Sequence, residues 1–586
     1  MKSASNPFSY RRPVGQRKGR QVQPEARARV DELLADLPVR RDLLIECLHR
    51  IQDAEGHLSA ALLAALAERL RLAQTEVFEV ASFYHHFDVV RAGDEPPPAL
   101  TVRVCESLSC ELAGARALLA SLPQRLGRAV RVQPVPCVGR CAAAPVAVVG
   151  QRPVEHADAQ RIEAAIADGG RTCPLPDPQA GGIDGHGDYA GYRANGGYRQ
   201  WQRVLNDDGA RAAALTELDA SALRGLGGAG FPVARKWRAV AAQPGPRFLV
   251  VNADEGEPGT FKDRWYLERA PHRVLEGMLI AAAVVGCDAC YLYLRDEYPG
   301  VRALLEREIA ALQRDPPAPG LPPIHLRRGA GAYICGEESA LIESIEGKRG
   351  MPRLRPPYVA EVGLFGRPTL VNNVETLYWV PGILSGGADS FAAHGRRGRH
   401  GLRSFSVSGR VAEPGVKLAP AGISLRELID EYCGGMLPGH ELHAWLPGGA
   451  SGGILPASLA DEPLDFDTLQ PHGAFIGSAA VIVLSQQDRV VDAARNLMAF
   501  FRSESCGQCT PCRVGTAKAL DRMQEKRWDA SLLEELSGAM MDASICGLGQ
   551  AAPNPMMSVL RWFAQEAGVA AASPGAAAGD GQEKRS

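Results

Sequence analysis

No apolar run in this sequence approaches the ~20 residues that cross a bilayer as a helix. The longest, Ala60 to Ala67 and Met278 to Val285, are far shorter, so direct membrane insertion is not expected. A charge excess is missing too. Lys plus Arg is 65 against 67 for Asp plus Glu, a formal charge of −2, which excludes the field of a dedicated nucleic-acid binder. The first twenty residues contain no acid and carry Lys2, Arg11, Arg12, Arg17, Lys18 and Arg20. No apolar segment follows them, so a disordered basic tail is expected rather than a secretory or twin-arginine signal. Fourteen cysteines in 586 residues are too sparse for a disulfide scaffold, and without an export signal a reducing, cytoplasmic compartment is expected. What is present, 46% hydrophobic and 23% charged residues, belongs to chains that fold around buried cores. At roughly 150 residues per domain the length predicts about four domains.

Apolar residues at helical spacing predict a small helix bundle from about Pro24 to His86. Leu100 to Cys105, Ala129 to Val135 and Val146 to Val149 read as strands around an Ala/Leu-rich helix, an α/β sandwich. Together these make one expected block, 25–165, after a tail at 1–24. A Gly/Pro/Asp-rich stretch with little periodicity predicts a linker at 166–199. A long α/β block spans 200–400, with strands at Phe248 to Asn252 and Tyr291 to Leu294. Short strands broken by Gly and Pro follow at 401–485. A helical region at 486–565 contains a helix from Val491 to Phe501 and a second one capped by Ser531 with Glu534. The Ala/Gly-rich end, 566–586, is expected to be disordered.

The cysteines are not spread evenly. Cys506, Cys509 and Cys512 recur every third residue, and Cys546 follows beyond a helix. Three thiolates on one tight loop can face a single iron–sulfide cube, and a distant fourth closes it. Core cysteines do not cluster this way, and zinc ribbons pair two Cys-x₂-Cys hooks, whereas Cys546 stands alone. The spacing therefore favours a [4Fe–4S] cluster. Cys105 with Cys110, and Cys137 with Cys141, form a second set, each pair after a predicted strand. Two thiolate pairs suit the two irons of a [2Fe–2S] rhomb, with zinc as the competing reading on spacing alone.

Between these sets lies Gly225-Leu-Gly227-Gly228-Ala-Gly230-Phe231-Pro232, which contains a Gly-x-Gly-x-x-Gly. It is not read as a dinucleotide fingerprint, because Leu218 to Leu223 looks helical where a strand is required, and Pro232 follows the run directly. Its glycines let backbone N–H groups approach a phosphate, and a plain glycine-rich turn fits equally. Asn252-Ala-Asp254-Glu255-Gly256-Glu257 follows a predicted buried strand. It is either a solvated loop or the strand-end rim where α/β sheets bind ligands. Tyr333, Gly336, Glu337 and Glu338 form a similar polar cluster, as do Asn372, Asn373 and Thr376; either group can bind a flavin or ribose, or cap a helix.

Taken together, these segments resemble a known family. Gly225 to Lys236, Asn252 to Arg264, Gly329 to Gly347, Pro368 to Leu377 and the Glu504 to Gly515 loop are similar to the flavin- and NADH-binding subunit of respiratory complex I. Cys105 to Cys141 with the preceding helices resembles its thioredoxin-like [2Fe–2S] subunit. The fused order resembles the diaphorase α subunit of NAD-reducing hydrogenases, and related chains serve NAD-dependent formate dehydrogenases. The resemblance implies an α/β multidomain fold: a helix bundle with a thioredoxin-like [2Fe–2S] domain, a Rossmann-like FMN/NADH domain, a ubiquitin-like β-rich domain and a helical [4Fe–4S] bundle. It implies that Gly225, Gly227, Gly228 and Lys236 hold FMN phosphate and ribityl groups. Asn252, Asp254 and Glu255 would line the isoalloxazine, with Asn372, Asn373 and Thr376 on its far side. Phe231 would stack on nicotinamide or adenine, and Glu257, Glu337 and Glu338 would lie near the NADH ribose and nicotinamide, in a pocket to which Tyr333 and Gly336 also belong.

Two departures touch the adenine side. Arg355 and Tyr358 stand where the family has a lysine and a phenylalanine, and Ala239 where it has a second aromatic. The implied activity is NADH:acceptor oxidoreduction, with FMN and both clusters as cofactors, NAD(H) as substrate, no residue required as acid or base, and partner subunits of a hydrogenase, formate dehydrogenase or complex I. Two other classes fit the cysteines alone, an iron–sulfur scaffold without turnover and a zinc-stabilised interaction protein. Flavin absorbance and acid-labile sulfide discriminate both from a diaphorase.

Overall fold

The computed structural model describes residues 20–169, 171–177 and 187–569. Of the expected tails at 1–24 and 566–586, residues 1–19 and 570–586 lie outside the described residues; the inner ends are corrected, since Pro24 opens a helix and Ala564–Ala567 forms a 3₁₀ turn with Ala567 buried. The chain divides into two units, residues 1–97 with 347–349, and the remainder. The division falls inside the block expected at 25–165. It separates the N-terminal helices from the sheet that follows, because the two have separate cores.

The first unit contains helices Pro24–Leu33, Leu44–Glu55, Ala60–Leu70 and Gln74–Phe83. Their apolar stripes, among them Val30, Leu34, Leu48, Ile51, Leu63, Leu66 and Val77, are buried against one another. This is the helical period read from the sequence. Tyr84 closes the unit by donating to the Lys348 carbonyl at 2.7 Å.

The second unit opens with β1 (Leu100–Cys105), β2 (Val130–Val135), β3 (Ala147–Val149) and β4 (Arg152–Val154). They form a sheet in the order β2-β1-β3-β4, with β1 and β2 parallel and the other pairs antiparallel. The helix Ala115–Leu126 connects the parallel pair.

The α/β block is built on β5 (Phe248–Ala253), β6 (Ala289–Leu294), β7 (Ile324–Arg328) and β8 (Thr369–Asn373), all parallel, in the order β8-β5-β6-β7. Every residue of β6 is buried, as expected of a parallel strand covered on both faces. Helix Pro271–Val285 has proline in its first turn and ends at Gly286 in the left-handed region, following the asymmetry of helix ends. Gly277 permits its packing against the neighbouring helix, because a Cβ there would lie 2.0 Å from the Leu377 carbonyl oxygen.

The linker expected at 166–199 is corrected at both ends. Ala159–Ala167 is helical, and Tyr189–Ala194 forms another helix. Tyr189 and Tyr198 are buried around His272, with Tyr198 Oη 2.7 Å from His272 Nδ1. Isolated aromatics without periodicity conceal such docking from a pattern search. Residues 178–186 lie outside the described residues.

Next comes a five-stranded sheet of β9 (Leu402–Gly409), β10 (Gly415–Pro420), β11 (Leu442–Leu446), β12 (Leu455–Pro456) and β13 (Ala480–Ser485), in the order β10-β9-β13-β11-β12. Helix Leu425–Tyr432, capped by Ser424 with Glu427, covers it. The last part is helical: Val490–Glu504, Thr510–Met523, Ala530–Ala543, Gly547–Ala551 and Asn554–Trp562. The cap of the third helix is Asp529, which accepts from Leu532 N at 3.1 Å. Ser531, expected as the cap, lies inside the first turn because the acid two residues earlier already holds the free N–H.

Candidate functional site

Parallel strands carry their loops out at one edge, where ligands bind in open α/β sheets. Here β5 and β8 are neighbours in register, with Asn252 opposite Asn373, so two polar segments far apart in sequence arrive at one edge. Beside it opens a cavity of about 670 Å³. Its walls include Gly227, Gly228, Asn252, Asp254, Glu255, Glu257, Tyr333, Gly336, Glu337 and Asn373. Gly225, Phe231, Lys236, Glu338, Asn372 and Thr376 are not among the lining residues.

The glycine loop follows helix Asp208–Ala220 and precedes helix Val233–Ala241, so no strand leads into it. A 2.8 Å bond from Gly225 N to the Phe231 carbonyl closes it. Leu226 N donates to Thr376 Oγ1 at 2.9 Å, and Trp237 Nε1 to Asn372 Oδ1 at 3.0 Å. Thr376 Oγ1 and Asn372 Oδ1 thus hold the loop and its helix in place. A Cβ at Gly227 would meet Asn373 Cβ at 3.0 Å, so the backbone passes this wall where a side chain would crowd it.

The acid loop is held from both sides. Asn252 Nδ2 donates to the Gly336 carbonyl at 2.9 Å. Glu255 accepts from Asp263 N at 2.8 Å, Arg264 N at 3.1 Å and Tyr298 Oη at 2.9 Å. Burial, then the neighbouring Asp263, pushes its carboxyl up to about 7. Glu257 accepts from Ser451 N at 2.7 Å and from the Tyr333 hydroxyl, and burial raises its carboxyl as well. Below them, buried Lys262 lies 2.8 Å from Asp263 and 3.0 Å from Glu375. Burial opposes its charge, but Asp263, Glu375 and Glu255 outweigh it and hold the ammonium above its ordinary range. Asn373 donates to Asp263 at 2.6 Å and caps the following helix by accepting from Glu375 N at 3.0 Å. Glu337 caps a helix too, accepting from Ala340 N at 2.9 Å, while Arg355 pairs with both Glu337 and Glu338. Lys236 lies 3.2 Å from Glu338. Phe231 and Tyr358 are exposed, and the Arg235 guanidinium stands 5.6 Å from the centre of the Phe231 ring.

Sequence reading missed Thr260, Lys262, Asp263, Ser451, Ser478, Phe475 and Asn554, all at the cavity. The acidic run ending at Glu257 pointed toward Thr260, Lys262 and Asp263, just beyond it in the chain. Nothing local marked the others, which arrive from the β-rich sheet and the final helices.

The thiols of each set converge. Cys105 ends β1, Cys110 lies in the helix Leu108–Leu112, and Cys137 and Cys141 follow β2. All four are buried, with Cys137 Sγ 3.3 Å from Cys141 Sγ. Hydrogen bonding to Cys110 and Cys137 favours the thiol of Cys105, whereas Cys137, accepting from Cys105 and Cys141, is pulled well below the usual thiol range. A buried set that can bear so little thiolate charge unaided is suited to a metal centre, which supplies the positive charge and displaces the protons. In the second set, Cys509 immediately precedes helix Thr510–Met523, Cys512 lies in its first turn, and Cys546 immediately precedes Gly547–Ala551. Burial pushes Cys512 to about 11 and Cys546 to about 12.

Both sets are tied to the cavity wall. Arg295 donates to the Cys137 carbonyl at 2.6 Å and to the Glu255 carbonyl, and Arg264 Nε donates to the Gly139 carbonyl at 3.0 Å. On the other side Tyr333 N donates to Glu504 at 3.0 Å, two residues before Cys506, and the Tyr333 ring lies 5.0 Å from that of Phe500.

A cavity with glycines in its wall at the sheet edge, flanked by two thiol sets, suits a flavoprotein that carries iron–sulfur centres. Family models give the same assignment: the Nuo51 FMN-binding domain matches residues 218–382, the thioredoxin-like [2Fe-2S] ferredoxin 30–169, and the NADH-ubiquinone oxidoreductase-F iron-sulfur binding region 492–569. The chain is 43% identical over 370 residues to the mitochondrial NADH dehydrogenase (ubiquinone) flavoprotein 1 of Dictyostelium discoideum, covering 60% of this chain and 77% of that one. To the mitochondrial NADH-ubiquinone oxidoreductase 51 kDa subunit of Neurospora crassa it is 42% identical over 376 residues, covering 60% and 76%. It also matches a chain of an NAD⁺-reducing [NiFe]-hydrogenase solved in the H2-reduced state, with a TM-score of 0.77 and 35% identity over 91% of this chain and 93% of that one. The chain belongs to the family of the NADH-ubiquinone oxidoreductase 51 kDa flavoprotein, and FMN, a [2Fe–2S] cluster and a [4Fe–4S] cluster are its cofactors. Among the described residues no helix is long and apolar enough to cross a membrane.

Proposed function

We propose that this chain is the NADH-oxidising subunit of a multisubunit enzyme whose partner module is a hydrogenase. One observation carries the choice of partner. Both thiol sets and the flavin cavity sit on one polypeptide, and the hydrogenase chain matches it over 91% of its length, whereas the 51 kDa relatives match 60%. Complex I is the second reading, supported by 42% identity over the shared part.

The FMN site fits on two counts: Gly227 leaves the wall open where a Cβ would crowd Asn373, and Asn252, Asp254 and Glu255 bring polar side chains to the same cavity. Bound FMN supplies hydride acceptance from NADH and release of electrons one at a time to iron–sulfur centres. The residues do the positioning. Gly227 and Gly228 offer backbone N–H groups to the flavin's phosphate-bearing chain, and Asn252, Asp254 and Glu255 form the wall beside its ring. Lys262, Asp263 and Glu375 hold that wall rigid from below. Glu257, fixed by Tyr333 and Ser451, faces the nicotinamide side, and Arg355 sets the orientation of Glu337 and Glu338. None of these groups has to give or take a proton for hydride transfer. Cys506, Cys509, Cys512 and Cys546 would hold the [4Fe–4S] cluster; Cys105, Cys110, Cys137 and Cys141 would hold the [2Fe–2S] cluster.

Mass spectrometry of the complex purified on this chain, with NAD⁺-linked hydrogen oxidation measured on the same sample, tests the reading. Hydrogenase subunits and hydrogen-dependent NAD⁺ reduction are expected. Quinone-reducing partners would favour complex I, and a formate-oxidising partner would identify the third assembly that needs such a subunit.

A further inference from the structure

Asp254 stands apart from the other acids of the cavity. Glu255 and Glu257 have each filled their oxygens with donors. Glu337 caps a helix and pairs with Arg355. Asp254 lines the same cavity, yet among the described residues its buried Oδ2 has no hydrogen-bond partner. Its backbone is engaged on both sides, the N–H donating to Asn252 Oδ1 at 3.1 Å and the carbonyl accepting from Gly256 N at 3.0 Å. Gly336 faces it from the neighbouring turn, where a Cβ would meet the Asp254 backbone carbonyl at 3.2 Å.

An ionised carboxylate accepts at two oxygens and donates at none. Burying it without donors is among the costliest arrangements a fold can contain. The charged neighbours do not relieve it. Among the described residues Arg295 is the one cation acting on it, and that guanidinium is bound to Glu297, 3.0 Å away, and to the Cys137 and Glu255 carbonyls. Glu297 and Glu504 add negative potential from two other directions. Burial, opposed by Arg295 and reinforced by Glu297 and Glu504, holds the carboxyl well above the ordinary carboxylate range.

We propose that Asp254 meets the bound flavin as a neutral carboxylic acid, with buried Oδ2 as its carbonyl oxygen and Oδ1 as a hydroxyl that donates a hydrogen bond to an acceptor atom of FMN. Asp254 is then a donor beside Glu255 and Glu257 in the same wall, and it adds no negative charge beside a ring that becomes electron-rich on reduction. This rests on the flavin reading of the cavity and specifies the chemistry of one contact within it. A carboxylic acid kept neutral so that it can donate is a known solution in apolar sites.

The test uses the full chain, stripped of FMN and titrated with FMN at neutral pH. Asp254→Asn preserves a donor and removes the ionisable group; Asp254→Ala removes both. Asp254→Asn is expected to keep FMN affinity within about twofold of the parent, and Asp254→Ala to weaken it about tenfold, the range of one neutral hydrogen bond. Infrared spectra of the FMN-loaded parent at neutral pH should show a protonated-carboxyl C=O stretch that Asp254→Asn lacks. If Asp254→Asn weakens FMN as much as Asp254→Ala, or if no such band is lost, the functional form is the carboxylate and the proposal fails. If Asp254→Ala does not fold, the Asn variant and the infrared band decide. A parent chain that takes up no FMN would overturn the flavin reading itself, which is a different result from an intolerant Asn variant.

Discussion

Glu257 illustrates how one side chain is committed before any ligand arrives. Ser451 N and the Tyr333 hydroxyl fix its two oxygens, so its position is set by the fold while its charge remains available to the cavity. Glu257→Gln keeps the shape, removes the charge and leaves one amide oxygen to serve two donors. The KM for NADH is expected to rise about tenfold, the lower end for a charged hydrogen bond, with flavin content near stoichiometric. Steady-state NADH:dye kinetics and flavin absorbance check both parts; loss of FMN at unchanged KM would contradict the placement. Glu255 carries a pH dependence. Its carboxyl moves from 4.5 to about 7 on folding, so over that window the folded chain holds a proton that the unfolded chain has released. Stability from this group is therefore complete below the lower value and falls as pH rises through the upper one. Denaturant titrations of the FMN-free chain across that window should show the decline, and Glu255→Gln should flatten it.

Between elements, Lys262 joins the helix that follows the acid loop to the helix that begins after β8. Its ammonium sits buried between Asp263 and Glu375. Lys262→Met retains the length of the side chain but strands two buried acids, and removing one partner of a buried pair costs about 3–5 kcal/mol. Chemical denaturation is expected to show that loss, and a smaller one if Glu375→Gln accompanies it. A loss under about 1 kcal/mol would mean that the acids find other partners. The glycine loop belongs to this scale as well. It is fastened by Thr376 Oγ1, which accepts from Leu226 N, and by Asn372 Oδ1, which accepts from Trp237 Nε1.

At the scale of the whole molecule, the two thiol sets attach to different sides of one cavity, the first through Arg295 and Arg264, the second through Tyr333 and Glu504. If electrons leave through the [4Fe–4S] centre, Cys512→Ser should abolish that cluster and the partner-linked rate, while NADH:dye activity, which needs only the flavin, persists. Cys110→Ser should remove the [2Fe–2S] signal and leave much of the partner-linked rate. Electron paramagnetic resonance of each cluster beside both activities in assembled complexes measures this. A Cys512→Ser complex that keeps its full partner-linked rate would exclude that exit, and a Cys110→Ser complex that assembles but loses it would put the [2Fe–2S] centre on the main path.

The sequence by itself determined the features written in short-range spacing. Three thiols every third residue, the strand Leu100–Cys105 and the helix beginning near Val491 are all local, because hydrogen-bond ladders and metal-ligand loops repeat over a few residues. It also exposed the false dinucleotide fingerprint, since what precedes a glycine run is visible in the chain. Tertiary structure alone decided the rest. Asn252 meets Asn373 through strand register, and Ser451 reaches Glu257 across 194 positions. Tyr189 and Tyr198 turn an expected linker into core because the buried His272 and Glu308 lie where they land. Each of these depends on which surfaces bury one another, a long-range choice that leaves no periodic trace in the residues making it.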